Sequence, residues 1–336
     1  MNDFSTKLRI ESSINSSGTL LNDKLIPELK ENNYYIIDQE LDGDAPKQFI
    51  KAYFYKEESG IRKNNVKSWF SFIAKTAEKW YPHESVIECM INRIGQEMGL
   101  VMNEIELVKG NGQIRFLSKY FLNKNEKLVH GAEICGEHLG DADMAKEIAE
   151  SKSSARDLFT FEFIREAIVS VFPHCHDHIV EDLVRMIAFD ALVGNNDRHF
   201  YNWGVIDTKK KTKKALKLAP IYDSARGLLW NFSDENIINL YKSHLEGKNK
   251  IKNYIEGACP RISIEDNKEA NHFELIKYVK KQNKEYEKIV NQLSSIVNEE
   301  KVIGMLIGEF YPFFIPERAK LTTVIIRSRF KKVREI

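Results

Sequence analysis

The apolar pattern of this chain changes period near residue 125, and that change restricts it to folds with a sheet-rich first part and a helical second part. Upstream lie five short runs: NYYIIDQ (33–39), KQFIKAYFY (47–55), KSWFSFIAK (67–75), IELVKG (105–110) and QIRFLSKYFL (113–122). Each is rich in aromatic and β-branched residues and is bounded by Gly, Asn, Asp or charged clusters, which predicts strands. One helix interrupts them, over PHESVIECMINRIGQEMGL (82–100), where Ile87, Met90 or Ile91, Ile94 and Met98 recur at helical spacing, Pro82 suits the first turn and Gly99 the stop. Downstream, RDLFTFEFIREAIVSVF (156–172), DHIVEDLVRMIAFDALVG (177–194) and KEYEKIVNQLSSIVNEEKVIGMLIGEF (284–310) all carry apolar faces of 3.6-residue period, which predicts helices. The predicted fold is α+β with two lobes, a β-rich lobe over 1–122 and a helical lobe over 123–336. A cleft between lobes is a usual place for a ligand.

Composition narrows the partners. A net charge of +1 gives no general attraction to nucleic acid or to an acidic membrane. The four cysteines form no CxxC pair, no run approaches a membrane span, and the first residues lack the apolar core of a secretory signal. The expectation is a cytoplasmic protein with neither a membrane partner nor direct nucleic-acid binding.

Chemistry concentrates in GNNDRHFYNWG (194–204), where Asp197 and Asn202 stand in an Asp-x-x-x-x-Asn pattern. Protein-kinase catalytic loops use this spacing, with the Asp facing the acceptor hydroxyl and the Asn offering a neutral oxygen to magnesium. The next segment, WGVIDTKKKTKKALKLAPIYD (203–223), reads as a hairpin with strands at 203–206 and about 215–222. Its open end would bring Asn202 and Asp223 together although 21 positions separate them. Two converging oxygen ligands suit Mg²⁺.

Phosphoryl transfer also needs a cation on the nucleotide. Lys75 ends the strand that leads into the helix carrying Glu88, the arrangement of a kinase Lys–Glu pair, and Lys51 in KQFIKAYFY is the rival. Upstream, DGDAPK (42–47) is a turn in which Gly43 would let backbone N–H groups, together with Lys47, face a phosphate.

With these motifs in order, the chain resembles the HipA-like serine/threonine kinases of bacteria, in the short, stand-alone form. The likeness rests on GNNDRHFYNWG, LAPIYDSARG (218–227), IRFLSKYFL (114–122) with KLVHGAE (127–133), and WFSFIAKTAEKWYPHESVIE (69–88). It implies a protein-kinase-like fold, ATP and Mg²⁺ as cofactors, and a protein serine or threonine hydroxyl as acceptor. By the same resemblance, Asp197 is the catalytic base, Asn202 and Asp223 hold the metal, Lys75 with Glu88 meets the phosphates, and backbone near Ser118–Tyr120 meets the adenine. It further implies an activity of toxin–antitoxin type with an antitoxin protein as partner. Two departures touch that last point: longer members carry an extra N-terminal subdomain that meets the antitoxin, and DGDAPK lacks the serine that many members autophosphorylate.

Other readings stand beside these. A kinase of a small molecule or lipid headgroup, or a non-catalytic nucleotide-binding module, would share the motifs. His199 reads as support for the loop. FPHCHDHIVED (172–182) reads as a polar turn before a helix with Asp177 near its N-cap, KKKTKK (209–214) as a hairpin tip, and VIIRSRFKKVREI (324–336) as a basic amphipathic helix packed on the second lobe.

Overall fold

The computed structural model describes residues 7–11, 16–38, 47–55, 60–77, 79–208 and 216–336. The DGDAP part of the expected phosphate turn, Gly43 included, and the KKKTKK run lie outside the described residues.

All five upstream runs form strands: β1 (Tyr34–Ile37), β2 (Lys47–Ala52), β3 (Phe70–Lys75), β4 (Ile105–Gly110) and β5 (Gln113–Lys119). They make one antiparallel sheet in the order β1-β2-β3-β5-β4. The β4–β5 hairpin turns on Asn111-Gly112, both at positive φ (48° and 75°), as a two-residue loop matched to strand twist demands. Helix α1 (His83–Glu97) runs between β3 and β4 and packs against β4 and β5. A second sheet, β6 (Glu126–His130), β7 (Gly204–Thr208) and β8 (Lys217–Leu218), lies in the helical part.

The helices are α2 (Gly131–Leu139), α3 (Ala142–Glu150), α4 (Lys152–Leu158), α5 (Phe161–Val171), α6 (His176–Val193), α7 (Asp234–Leu245), α8 (Lys250–Glu256), α9 (His272–Gln282), α10 (Lys284–Leu293), α11 (Ile296–Glu309) and α12 (Pro316–Glu335). Helix α6 is buried along nearly all of its last three turns, with α5, α9, α10 and α12 packed around it. Its N-cap is Cys175, not Asp177, and His178 in its first turn bonds the Leu216 carbonyl through Nε2 at 2.7 Å. Helix α12 buries Leu321, Ile325, Ile326 and Phe330 against the second lobe.

The structure divides two of the helical runs and shortens one expected strand. The run 156–172 is two helices, because Thr160 takes an N-cap position and its hydroxyl accepts the Phe163 N–H at 3.3 Å. The run 284–310 also divides, where Ser295 caps α11 by accepting the Asn298 N–H at 3.3 Å. Strand β8 stops at Leu218: Pro220 has no N–H to give, and Ile221 bonds instead to the segment after α1, donating to Val101 O at 2.8 Å and accepting from the Asn103 N–H at 2.9 Å.

Packing does not divide at residue 122. Ile87, Ile91 and Ile94 of α1 join the same core as α6, while the opposite face of the first sheet has a small core of its own around Tyr34, Ile50, Phe72 and Leu117. Leu20 and Ile26 also belong to the larger core. Their segment crosses between the lobes: the Ser17 N–H donates to Tyr81 O at 2.6 Å, and Ser17 O accepts from the Asp234 N–H at 2.8 Å.

Candidate active site between the lobes

The loop after α6 is held from both ends. Gly194 closes the helix at φ 71°, a conformation that suits glycine. Behind it the buried Arg329 donates through Nε to Ala191 O at 2.6 Å, one of the last carbonyls of the helix. Within the loop, Arg198 is buried and makes a two-pronged pair with Asp190 of α6, Nε to Oδ2 at 2.8 Å and Nη2 to Oδ1 at 2.7 Å. The same guanidinium reaches Asn202 O at 3.3 Å and Tyr222 O at 2.6 Å through Nη1, and Ser224 Oγ at 2.8 Å through Nη2. One buried arginine therefore joins the Asp197–Asn202 loop to the Asp223 segment.

Asp223 itself sits at φ 52°, in the left-handed region that non-glycine residues occupy uncommonly and aspartate more readily than most. Its Oδ1 accepts from Lys75 Nζ at 2.6 Å, and Lys75 Nζ also donates to Glu88 Oε1 at 3.2 Å. Strand β3, helix α1 and the post-hairpin segment thus meet at one ammonium. Lys51 does not share it; its Nζ donates to Lys67 O at 3.1 Å. Burial drives the Lys75 ammonium down, but the Asp223 and Glu88 carboxylates outweigh it and hold Lys75 above its ordinary value. Burial raises Glu88 to about 7 despite Lys75, whereas for Asp223 the penalty of burial is overcome by Lys75, Arg198 and Lys47, leaving it below the usual carboxylate range. Asp223 is the acid of the pair that stays charged.

The other expected residues are placed as follows. Lys47 opens β2 directly opposite Lys75 in the β2–β3 register. Asn202 Nδ2 points to the Asp197 carbonyl at 3.5 Å. Asp197 is flanked by two arginines, Arg261 Nε on Oδ1 at 2.7 Å and Arg226 Nε on Oδ2 at 3.0 Å. His199 Nδ1 accepts the Tyr201 N–H at 3.3 Å, and the two rings stack with centroids 5.5 Å apart. Ser118 Oγ accepts from Asn103 Nδ2 at 2.8 Å and, with Asn92, Asn103, Phe116 and Ser224, lines a narrow cavity beside Glu88 and Asp223. The N–H groups of Lys119 and Tyr120 are engaged by Glu104 O and Ser71 O at 2.9 and 2.8 Å, and the Tyr120 ring meets Phe49 edge-on at 5.5 Å. Asp223, a charged carboxylate bonded to Lys75, has the chemistry of a hard-cation ligand, and the amide of Asn202 stands on the segment that Arg198 joins to it.

A family model for the HipA-like C-terminal domain matches residues 41–300. The chain belongs to the HipA-like family. Among solved structures it is similar to the Helicobacter pylori proinflammatory kinase CtkA, with a TM-score of 0.66 at 16% identity over 92% of this chain and 98% of that one. That likeness establishes the two-lobed kinase-type fold. A second likeness, to Shewanella oneidensis HipA in a complex with HipB and operator DNA, has a TM-score of 0.49 at 12% identity over 90% of this chain and 68% of that one. A curated Haemophilus influenzae protein described as "Putative kinase" is 24% identical over 168 residues, 48% of this chain and 46% of the relative, so the match spans about half of that protein.

For this HipA-like chain, reading the sequence missed four residues that build the site: Asp190, Arg198, Arg226 and Arg261. Asp190 carried a signal, as the single acid in the apolar stretch MIAFDALVG. Arg198 stood inside the loop motif, yet nothing local distinguishes a buried arginine from a solvated one. Arg261 lies 64 residues from Asp197, beyond the reach of any motif.

Proposed function

We propose that this protein is an ATP- and Mg²⁺-dependent kinase that phosphorylates a serine or threonine hydroxyl of a protein. The observation that carries the reading is Lys75, on the first sheet, bonded at once to Glu88 and Asp223 at 3.2 and 2.6 Å. This is how a nucleotide lysine is oriented in the cleft of a kinase-type fold. Asn202 and Asp223 would hold Mg²⁺, which when bound neutralises the phosphates. Lys75 and Lys47 would bind the phosphates, with Glu88 fixing the Lys75 side chain. Asp197 would accept the hydroxyl proton; each of its oxygens receives one guanidinium N–H, and further lone pairs remain for a hydroxyl. The adenine would lie against the segment that leaves β5 at Ser118–Tyr120.

The test is incubation of the protein with γ-labelled ATP and Mg²⁺ in host lysate, beside its Asp197→Asn variant. Label should enter protein as phosphoserine or phosphothreonine, and the variant should lose at least about 100-fold in rate with its melting temperature unchanged. Label confined to metabolites would make it a small-molecule kinase instead, and equal transfer by the variant would remove Asp197 from the chemistry.

A further inference from the structure

Asp197 is one carboxylate among three cations. Arg261 and Arg226 each donate to one of its oxygens, at 2.7 and 3.0 Å. Lys152 lies close enough for Asp197 and Arg261 to influence its charge, yet its Nζ donates to two neutral carbonyls, Asn196 O at 3.3 Å and Cys259 O at 3.1 Å. Glu84 of α1 also feels the charge of Arg226, so the cations in excess of Asp197 stand on the Arg261 and Lys152 side, where Arg261 keeps a buried Nη1 with no hydrogen-bond partner among the described residues. A guanidinium N–H left without an acceptor is costly unless a ligand completes it.

The two arginines differ in how they are mounted. Arg261 is 14% exposed on a loop fixed by the buried Arg156, which donates to Pro260 O, to Lys268 O at 2.6 Å and to Ala270 O at 3.0 Å. Arg226 is 49% exposed, follows Asp223 by three positions, and rests its guanidinium on the Trp230 ring at 4.9 Å. Both contact the residue that would face the acceptor hydroxyl. The nucleotide side of the cleft has its own cations, Lys75 and Lys47, on the first sheet.

We infer that Arg226 and Arg261 form an anion subsite beside Asp197, so that the substrate is an acidic protein segment with a carboxylate or phosphate within a residue or two of the acceptor hydroxyl. This rests on the kinase reading above. Arginine forks recognise both anions in two-pronged fashion, and the more buried Arg261 with the half-exposed Arg226 gives one enclosed and one solvent-accessible contact.

The experiment measures kcat/KM with γ-labelled ATP and Mg²⁺ for three serine peptides that differ only beside the acceptor: glutamates, a phosphoserine, or lysines. The acidic and phosphorylated peptides should exceed the lysine peptide by about tenfold or more, their ranking telling carboxylate from phosphate. The ratio should fall toward one in Arg226→Gln and Arg261→Gln, reverse in Arg226→Glu, and fall only part of the way in Arg261→Lys, which keeps the charge but not the fork. Unaltered melting temperature and ATP binding show that the variants are folded. Equal kcat/KM for all three peptides in the wild type overturns the inference, as does a loss in the variants that strikes every peptide alike. Transfer without charge preference sinks this inference alone, whereas absence of transfer to any peptide or lysate protein sinks the kinase reading with it.

Discussion

Lys75 offers one positive charge to two carboxylates, and the imbalance sets the protonation of the cleft. Glu88, raised to about 7 by burial, carries a proton in the folded chain over a range where the unfolded chain has released it, from its ordinary 4.5 upward. Its contribution to stability therefore falls as pH rises through that window, by no more than about 3 kcal/mol. Asp223 has the opposite sign: its depressed value contributes stability above its ordinary 3.8, lost as pH falls below that. Urea titrations at pH 5 and pH 8 should find the Glu88→Gln variant gaining relative to wild type at the higher pH; an identical pH slope in both proteins would contradict the assignment. These acids were legible before the fold because Lys75 and Glu88 stand on consecutive elements and Asp197 and Asn202 share a loop. The partners of Asp197 were not. Arg226 and Arg261 reach it through tertiary folding, and a charged side chain in a sequence does not reveal whether it will meet solvent or another charge.

Among the elements, the end of α6 and the loop after it act as a unit because Asp190 and Arg198 are both nearly inaccessible, at 3% and 2% exposure. Removing one partner leaves the other charge buried alone, at a cost of about 3–5 kcal/mol. Asp190→Ala should show that loss in urea unfolding and should also weaken activity, since Arg198 would cease to hold Asn202 and Tyr222 in place. A loss under 1 kcal/mol would mean that the pair is solvated. Element type was legible wherever apolar spacing was regular, as in α1 and α6. Element ends were less so. Thr160 and Ser295 interrupt continuous helical patterns with a single hydroxyl each, a local hydrogen bond that periodicity cannot register. Strand β8 is short because Ile221 pairs with residues 101–103, a contact across more than a hundred positions, and this same pairing carries Asp223 to Lys75.

At the scale of the whole molecule, the described residues form two cores whose boundary is not the lobe boundary. Because α1 contributes Ile87, Ile91 and Ile94 to the larger core, residues 1–122 alone would expose that face along with Leu20 and Ile26. That fragment, expressed without the rest, is expected to lack the cooperative unfolding transition of the full chain by circular dichroism; a sharp transition would show that the small sheet core suffices. The segment through Ser17 adds a mechanical condition. Its N–H is bonded to Tyr81, just before α1, and its carbonyl to Asp234, the first residue of α7, so a single residue pins both lobes. The lobes cannot slide apart there without breaking those bonds. With α1 seated in the larger core and Arg93 paired to Glu309, that fastening leaves the edge of the cleft near Ser17 one fixed seam, and the ion pair of Lys75 and Asp223 is a second fastening across it.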